Sequence, residues 1–314
     1  MHLNARAFVS FTMSKAIFIF IASLLVLLPM VLSEGGIDAS TQMTLCLPFI
    51  LFIGIPHGAI DNLLYLREKK LNNTQFISIY LIVVFSNVLL WMFFPICAYL
   101  VFLIISAYHF GQSQFAHYFK ETGLLQRLLA ISWGVSLLSA LIYFNIEEIQ
   151  KIMLADEHFL VFDLLHQTQH MHYLFLASST ITLAIMVLLT IKKAIKKEMF
   201  LLETVVFFLI LLSFEVMPFL IGFTLYFVIL HSLKVLNEEY HFLSAKKEVG
   251  SWKGFISLLA PLTLFSFLGI ALIFLLIYLE LIAYSYGYCL LIIISSITLP
   301  HVFVMNRFYQ LFKP

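Results

Sequence analysis

The chain reads as an all-α, multi-pass membrane protein of about ten transmembrane helices, forming a single integral-membrane domain over residues 1–314. Three observations predict this. First, 62% of the residues are apolar and only 11% are charged, whereas soluble domains carry about 25% charged residues. A soluble fold of this length has no interior large enough to hide so much apolar surface. Second, the sequence divides into ten apolar stretches close to the ~20 residues that cross a bilayer. Third, when those stretches are threaded back and forth, 17 of the 18 lysines and arginines fall on one side.

The elements follow in order. Stretch 16–33 comes after Arg6 and Lys15 and lacks a small-x-small cleavage motif before Glu34, so it is expected as an uncleaved first helix rather than a signal peptide. The others are 44–66, 75–94, 96–118, 124–144, 172–191, 199–214, 218–236, 255–280 and 284–306. The third and fourth meet at Phe94-Pro95, and the seventh and eighth between Glu215 and Pro218. Proline is favoured in the first turn of a helix, which places both breaks. One side collects Arg6, Lys15, Arg67, Lys69, Lys70, Lys120, Arg127, Lys192, Lys193, Lys196, Lys197, Lys234, Lys246, Lys247, Lys253, Arg307 and Lys313. The other holds Lys151 with Glu34, Asp38, Glu147, Glu148, Asp156, Glu157, Asp163, Glu215 and Glu280. The positive-inside rule then puts both termini in the cytoplasm and the chain in the cell (inner) membrane. The outer loop 145–171 is acidic, and its apolar run 159–165 is expected to lie on the membrane surface.

Composition also excludes function classes. No basic patch with interleaved aromatics is present, so nucleic acid is not a partner. Cys46, Cys97 and Cys289 are far apart in apolar segments, which argues against a disulfide framework and against a thiolate metal site.

The chemistry resides in histidines. His57, His109, His231 and His301 lie in the second, fourth, eighth and tenth stretches, all running from outside to inside. Counting to the next basic residues at ~1.5 Å per residue places all four in the cytoplasmic half of the bilayer, within about 12 Å in depth. Lys234 is only three residues past His231, but its long side chain can snorkel. Ionisable groups inside membrane helices mark functional sites by default, and a matched set of imidazoles asks for a shared metal ion. Asp61 lies one turn after His57, placed to accept the second ring N–H of a ligand histidine. Gly54, Gly58 and Gly111 permit close approach of a backbone or bulky ligand. Ser113 and Gln114 follow His109, and His117 is expected nearer the surface and solvated. Glu203 reads equally as a pocket residue or an interfacial one. The cluster His166, His170, His172 has metal-like spacing but reads as an exposed polar loop.

Neutral imidazoles without thiolate suit iron, copper, zinc or nickel. A substrate arriving from lipid is apolar and offers acid–base catalysis little to act on. Oxidative attack on C=C or C–H needs a redox metal and oxygen. Diiron desaturases use about eight histidines in HxxxH and HxxHH boxes, which this chain lacks.

The segments GIPHGAID (54–61), AYHFGQSQ (107–114), ILHSLKV (229–235) and LPHVFVMN (299–306) resemble, in order, the Brp/Blh-type β-carotene 15,15'-dioxygenases of bacteria and archaea. The resemblance implies a multi-helix membrane enzyme that uses Fe2+ and O2 to cleave β-carotene into two retinal molecules, which supply a rhodopsin. It implies His57, His109 and His231 as iron ligands. Two departures stand out. The family motif HSxxH reads HSLKV here, with Val235 in place of the second histidine, and the acidic residue that often follows HFG is Gln114. His301 is expected to take the vacant ligand position, with His241 a more distant alternative. A chain that keeps the pocket without the full iron site would instead be a carotenoid- or retinal-binding protein, or one that assists rhodopsin assembly.

Overall fold

The computed structural model of the protein describes residues 5–33, 36–66, 72–119 and 123–311, with side chains in the first helix from Lys15 onward. Glu34, Arg67, Lys69, Lys70, Lys120 and Lys313 lie outside the described residues. All regular structure among the described residues is helical. Ten apolar helices match the ten stretches: α1 (Ala5–Val31), α2 (Ala39–Tyr65), α3 (Asn73–Phe93), α4 (Pro95–Tyr118), α5 (Leu124–Phe144), α6 (Thr168–Ile191), α7 (Lys197–Val216), α8 (Phe219–Ala245), α9 (Trp252–Tyr278) and α10 (Tyr286–Leu311). Among the described residues, α2 to α10 are long and apolar enough to cross a membrane, and the apolar part of α1, Lys15–Val31, is shorter.

Local chemistry sets the ends. Asn72 and Gln75 form a reciprocal capping box at the start of α3. Asp38 Oδ1 accepts from Thr41 N–H at 2.8 Å, starting α2 five residues before the apolar stretch begins. Pro95 opens α4 where Phe94 leaves helical geometry. At α8 the helix outruns the expected stretch by nine residues, continuing to Ala245 with Glu238, Glu239 and His241 inside it. The charges that end the apolar stretch do not end the helix. Glu238 is 3% exposed and accepts from Tyr309 Oη at 3.2 Å.

The register of contacts fixes helix directions. Gly111 of α4 meets Ala130 of α5 while Gly134 meets Ala107, an antiparallel crossing. Ser132 pairs with Thr182 at 3.0 Å and Ser136 with Ser179 at 2.6 Å, so α5 and α6 are antiparallel too. Gln42 meets Leu220 and His57 meets His231, so α2 and α8 run parallel. Phe110 meets Tyr226 and Ser113 meets His231, which makes α4 and α8 parallel. In lipid no hydrophobic force separates one apolar surface from another, so small residues and polar bonds select the neighbours. Each such side-chain bond contributes about 0.6 kcal/mol. The backbone contacts at Gly111 and Gly134 therefore matter more than any one of them.

The segment after α5 forms a helix, Ile146–Ala155, and a 3-10 helix, Glu157–His166. Glu148 Oε2 accepts from Phe219 N–H at 2.8 Å and Oε1 accepts from Gln42 Nε2 at 2.6 Å. A carboxylate thus sits at the N-terminus of α8, where the helix dipole favours it. The run 159–165 does more than lie on a surface. Phe162 is buried against Trp91, Tyr99 and Tyr288. The exposed-loop expectation is corrected for His166, which is 5% exposed and meets Tyr99 Oη at 2.9 Å. Burial lowers the basicity of His166, so its neutral ring accepts the tyrosine hydrogen. His170 is exposed, and His172 stacks on Tyr143.

Asp156 ties this segment to the start of α10 by accepting from Ser285 Oγ, and it also accepts from His158. Burial acts to raise the Asp156 carboxyl, but the hydrogen bonds from Ser285 and His158 outweigh it and hold the pKa below the usual range. A depressed folded-state pKa stabilises above the unfolded value of about 3.9 and is lost as pH falls through the folded value. Limited proteolysis of 145–167 in detergent should stay slow at neutral pH and accelerate only below about pH 4. Unchanged cleavage there would show that Asp156 does not anchor the segment.

Candidate metal centre

Unusual backbone prepares two of the four histidines. A π-helical segment, Ile50–Gly54, runs into a 3-10 turn, Ile55–Gly58, that carries His57 after Pro56. A second π-helical segment, Leu225–Ser232, carries His231. Such segments insert an extra residue into a turn, re-aim side chains, and recur at functional sites. His109 sits in regular α4, and His301 follows Pro300 inside α10.

The four rings meet. Centroids of His57 and His301 are 4.9 Å apart, His57 and His231 5.4 Å, His109 and His231 4.9 Å, and His109 and His301 5.1 Å. None of the four is more than 8% exposed. Nitrogens of His57, His109 and His301 all lie within 4.8 Å of one another. An ion holding imidazoles at about 2.1 Å spans at most about 4.2 Å between opposite nitrogens, so shifts under about 1 Å close these three, and His231 joins them through its ring contacts with His57 and His109 rather than at that nitrogen spacing.

Hydrogen bonds orient three rings the same way. His57 Nδ1 donates to the Gly54 carbonyl. His301 Nδ1 donates to Asp61 Oδ1 at 2.9 Å, and Asp61 Oδ2 lies 3.4 Å from Tyr80 Oη. His231 Nδ1 donates to Ser113 Oγ at 3.0 Å, since that hydroxyl spends its own hydrogen on the Phe110 carbonyl, also at 3.0 Å. Each leaves the Nε2 lone pair free for a ligand bond, the usual outer-shell arrangement. The buried Nε2 atoms of His231 and His301 and both ring nitrogens of His109 have no hydrogen-bond partner. Buried nitrogens left bare cost about 1–3 kcal/mol each, and a shared cation satisfies them. The all-imidazole donor set fits a borderline transition ion such as iron and fits the oxygen-seeking Mg2+ or Ca2+ poorly.

The other sequence-selected residues separate into those beside the rings and those elsewhere. Asp61 is 3% exposed and serves His301, on α10, rather than His57 of its own helix. A Cβ on Gly58 would lie 3.4 Å from His301 Nδ1, so this glycine keeps that ring's path open. A Cβ on Gly54 would lie 2.5 Å from the Phe227 ring. At Gly111 the close approach is that of a backbone: it faces α5 at Ala130, a helix contact rather than a ligand contact. Gln114 turns to Glu203, donating at 2.6 Å. Val235, fully buried, packs with Ile60, Leu64, Ala116 and Met305. Glu203 is 1% exposed and also accepts from Tyr118 Oη, so the interfacial reading is set aside. His117, expected to be solvated, is 8% exposed and packs on Tyr118. His241 is not among the four rings. An open cavity of about 590 Å³ lined by Asp156, His158, Tyr284 and Ser285 is remote from them, since Ser285 precedes His301 by sixteen residues, about 24 Å of helix.

Sequence reasoning missed both π-helical segments and Phe227. That ring stacks on His231 at 5.7 Å and 18° and meets His57 edge-on at 5.8 Å. Two glycine and proline residues around His57 are a signal for the first segment. The second has none, because 225–230 is uniformly apolar.

Known proteins provide an independent comparison. A family model described as Beta-carotene 15,15'-dioxygenase matches residues 49–309, which include all four histidines. A curated relative, the Beta-carotene 15,15'-dioxygenase of uncultured marine bacterium 66A03, is 32% identical over 74 residues. That alignment covers 22% of this chain and 27% of the relative, so it spans about a quarter of the relative's length. No solved structure matches. Matched from just before His57 to just beyond His301, the chain belongs to the β-carotene 15,15'-dioxygenase family.

Proposed function

We propose that this protein is a membrane-embedded, iron-dependent dioxygenase that cleaves β-carotene, or a closely related carotenoid, into retinal. The observation that carries the reading is the convergence of four buried imidazoles, three with their outer nitrogens already committed, in a chain of this family. His57, His109, His231 and His301 would hold Fe2+, which supplies the O2 activation that C=C scission requires. The four-ring set does not need a histidine at position 235, because His301 arrives from α10. Scission adds one oxygen atom to each carbon of the double bond and takes up no net proton, so the site needs no acid–base pair.

The chain's own residues hold and shield. Asp61, Ser113 and the Gly54 carbonyl fix ring tautomers. Near-complete burial keeps bulk water from the reacting atoms. Phe227, half-buried, and Phe223, stacked on it at 5.2 Å and 10°, form a flat aromatic wall beside His57 and His231. A polyene entering from lipid would lie against that wall. Stacking contributes about 0.5–1.5 kcal/mol, so Phe227→Ala should raise KM for β-carotene about two- to tenfold with iron content unchanged. Iron loss in that variant would show instead that Phe227 supports the ligands.

The test of the function is expression in a carotene-accumulating bacterial host. Bleaching with accumulation of retinal is expected, and unbleached cells containing folded protein would overturn the assignment. If purified protein is also metal-free after Fe2+ reconstitution, the carotenoid-binding or rhodopsin-assembly reading takes its place. Asp61→Asn should weaken metal affinity about 10- to 100-fold, the usual effect of losing a carboxylate behind a ligand histidine. Affinity equal to wild type would remove Asp61 from the site.

A further inference from the structure

Beside the histidines, α4 reaches its end on a group of charges that a bilayer interior tolerates only in pairs. Lys234 was expected to snorkel outward. Its ammonium instead turns toward α4, donating to the Ser113 carbonyl at 2.5 Å and to the Gln114 carbonyl at 3.3 Å. These carbonyls lie in the last α-helical turn before the 3-10 turn Ala116–Tyr118, where main-chain acceptors lack partners and the dipole favours a cation. Glu203 and Glu238 lie within electrostatic reach of the ammonium. Glu203 is fixed by Gln114 at 2.6 Å and by Tyr118, and Glu238 by Tyr309 at 3.2 Å. The residue whose carbonyl Lys234 holds is also the residue whose hydroxyl orients His231.

We propose that Lys234 is a positioning residue for the metal centre: it clamps the end of α4 so that Ser113 Oγ stays aimed at His231 Nδ1, with Glu238 and Glu203 as the fixed charges that balance it. The inference rests on the reading that the four rings hold a metal. The loop closes on itself, because His231 and Lys234 are three residues apart on α8 and grip Ser113 by its side chain and its carbonyl. A ligand imidazole free to rotate binds less tightly, which is why partners behind ligands affect affinity about 10- to 100-fold.

The test uses full-length protein in detergent with Co2+ as the probe, reading affinity by chelator competition and geometry by the visible spectrum. Lys234→Met alone strands Glu203 and Glu238 and is expected to fold poorly, so the informative variant is Lys234→Met with Glu203→Gln and Glu238→Gln, which removes all three charges. It is expected to fold, to bind Co2+ about 10- to 100-fold more weakly, and to shift the visible bands. Lys234→Arg should retain wild-type affinity and spectrum. Ser113→Ala should reproduce the shift. Adding it to the charge-free triple variant should cost nothing further, because both changes act on one bond. Wild-type affinity and spectrum in the folded charge-free triple variant, or additive losses with Ser113→Ala, would overturn the proposal. If the wild-type protein takes up no Co2+ or Fe2+, the metal reading itself falls, a result distinct from a wild-type site that Lys234 does not influence.

Discussion

His301→Ala is expected to remove both metal and activity, with Fe2+ affinity reduced more than about 100-fold, beyond the range for residues that merely support a ligand. The ring donates through Nδ1 to Asp61, leaves Nε2 bare and buried, and lies 4.9 Å from His57 and 5.1 Å from His109. His117→Ala provides the control. His117 is equally buried but is not among the four rings, so iron content and bleaching should survive its loss. Val235→His in the His301→Ala background should not restore metal, because Val235 belongs to the buried apolar cluster with Ile60, Leu64 and Met305, where a larger imidazole would have to displace packed side chains. Iron analysis and product chromatography on the three variants decide the matter. Full iron in His301→Ala would return the fourth ligand to an unidentified position.

Gly134→Ala and Gly111→Ala are expected to be severe although each adds only one methyl group. The added carbon would lie 1.8 Å from the Ala107 carbonyl oxygen at Gly134, and 1.9 Å from the Ala130 carbonyl oxygen at Gly111. Backbone cannot step aside as a side-chain tip can, so α4 and α5 must separate. Overpacking of this kind costs about 1–3 kcal/mol or more, several times the ~0.6 kcal/mol of one interhelical polar bond. His109 lies two residues from Gly111, so separation also misplaces a ring of the centre. Thermal stability in detergent should fall for both variants, while Gly269→Ala, which meets nothing within 4 Å, should be neutral or slightly stabilising. Equal melting of all three variants would refute the close α4–α5 contact.

These expectations differ in where they could be read. The depth of the four histidines was legible, because charge counts locate helix ends and a fixed rise per residue locates everything between them. Asp61 was legible as a partner for a ring, from its one-turn spacing to His57, but its acceptance from His301 was not. His117, His166 and Lys234 were placed toward water by the habits of polar residues, and Glu203 was left between pocket and interface. Each is instead held by an aromatic ring, a tyrosine hydroxyl, an amide or a helix end.

The sequence by itself determined the membrane class, the apolar helices and their order, and the matched level along their helices at which the four imidazoles meet. A bilayer imposes length and charge placement on any chain that crosses it, and both are one-dimensional properties. Only the tertiary structure decided which helix faces look inward. Lipid and protein interior are similarly apolar, so helices such as α9 are hydrophobic on every side and carry no stripe to mark the core. Lateral convergence was settled by glycine contacts, by polar bonds between distant helices and by the π-helical segment that turns His231 toward His109. That is how α10 brings His301 to a centre where the family motif on α8 has only Val235.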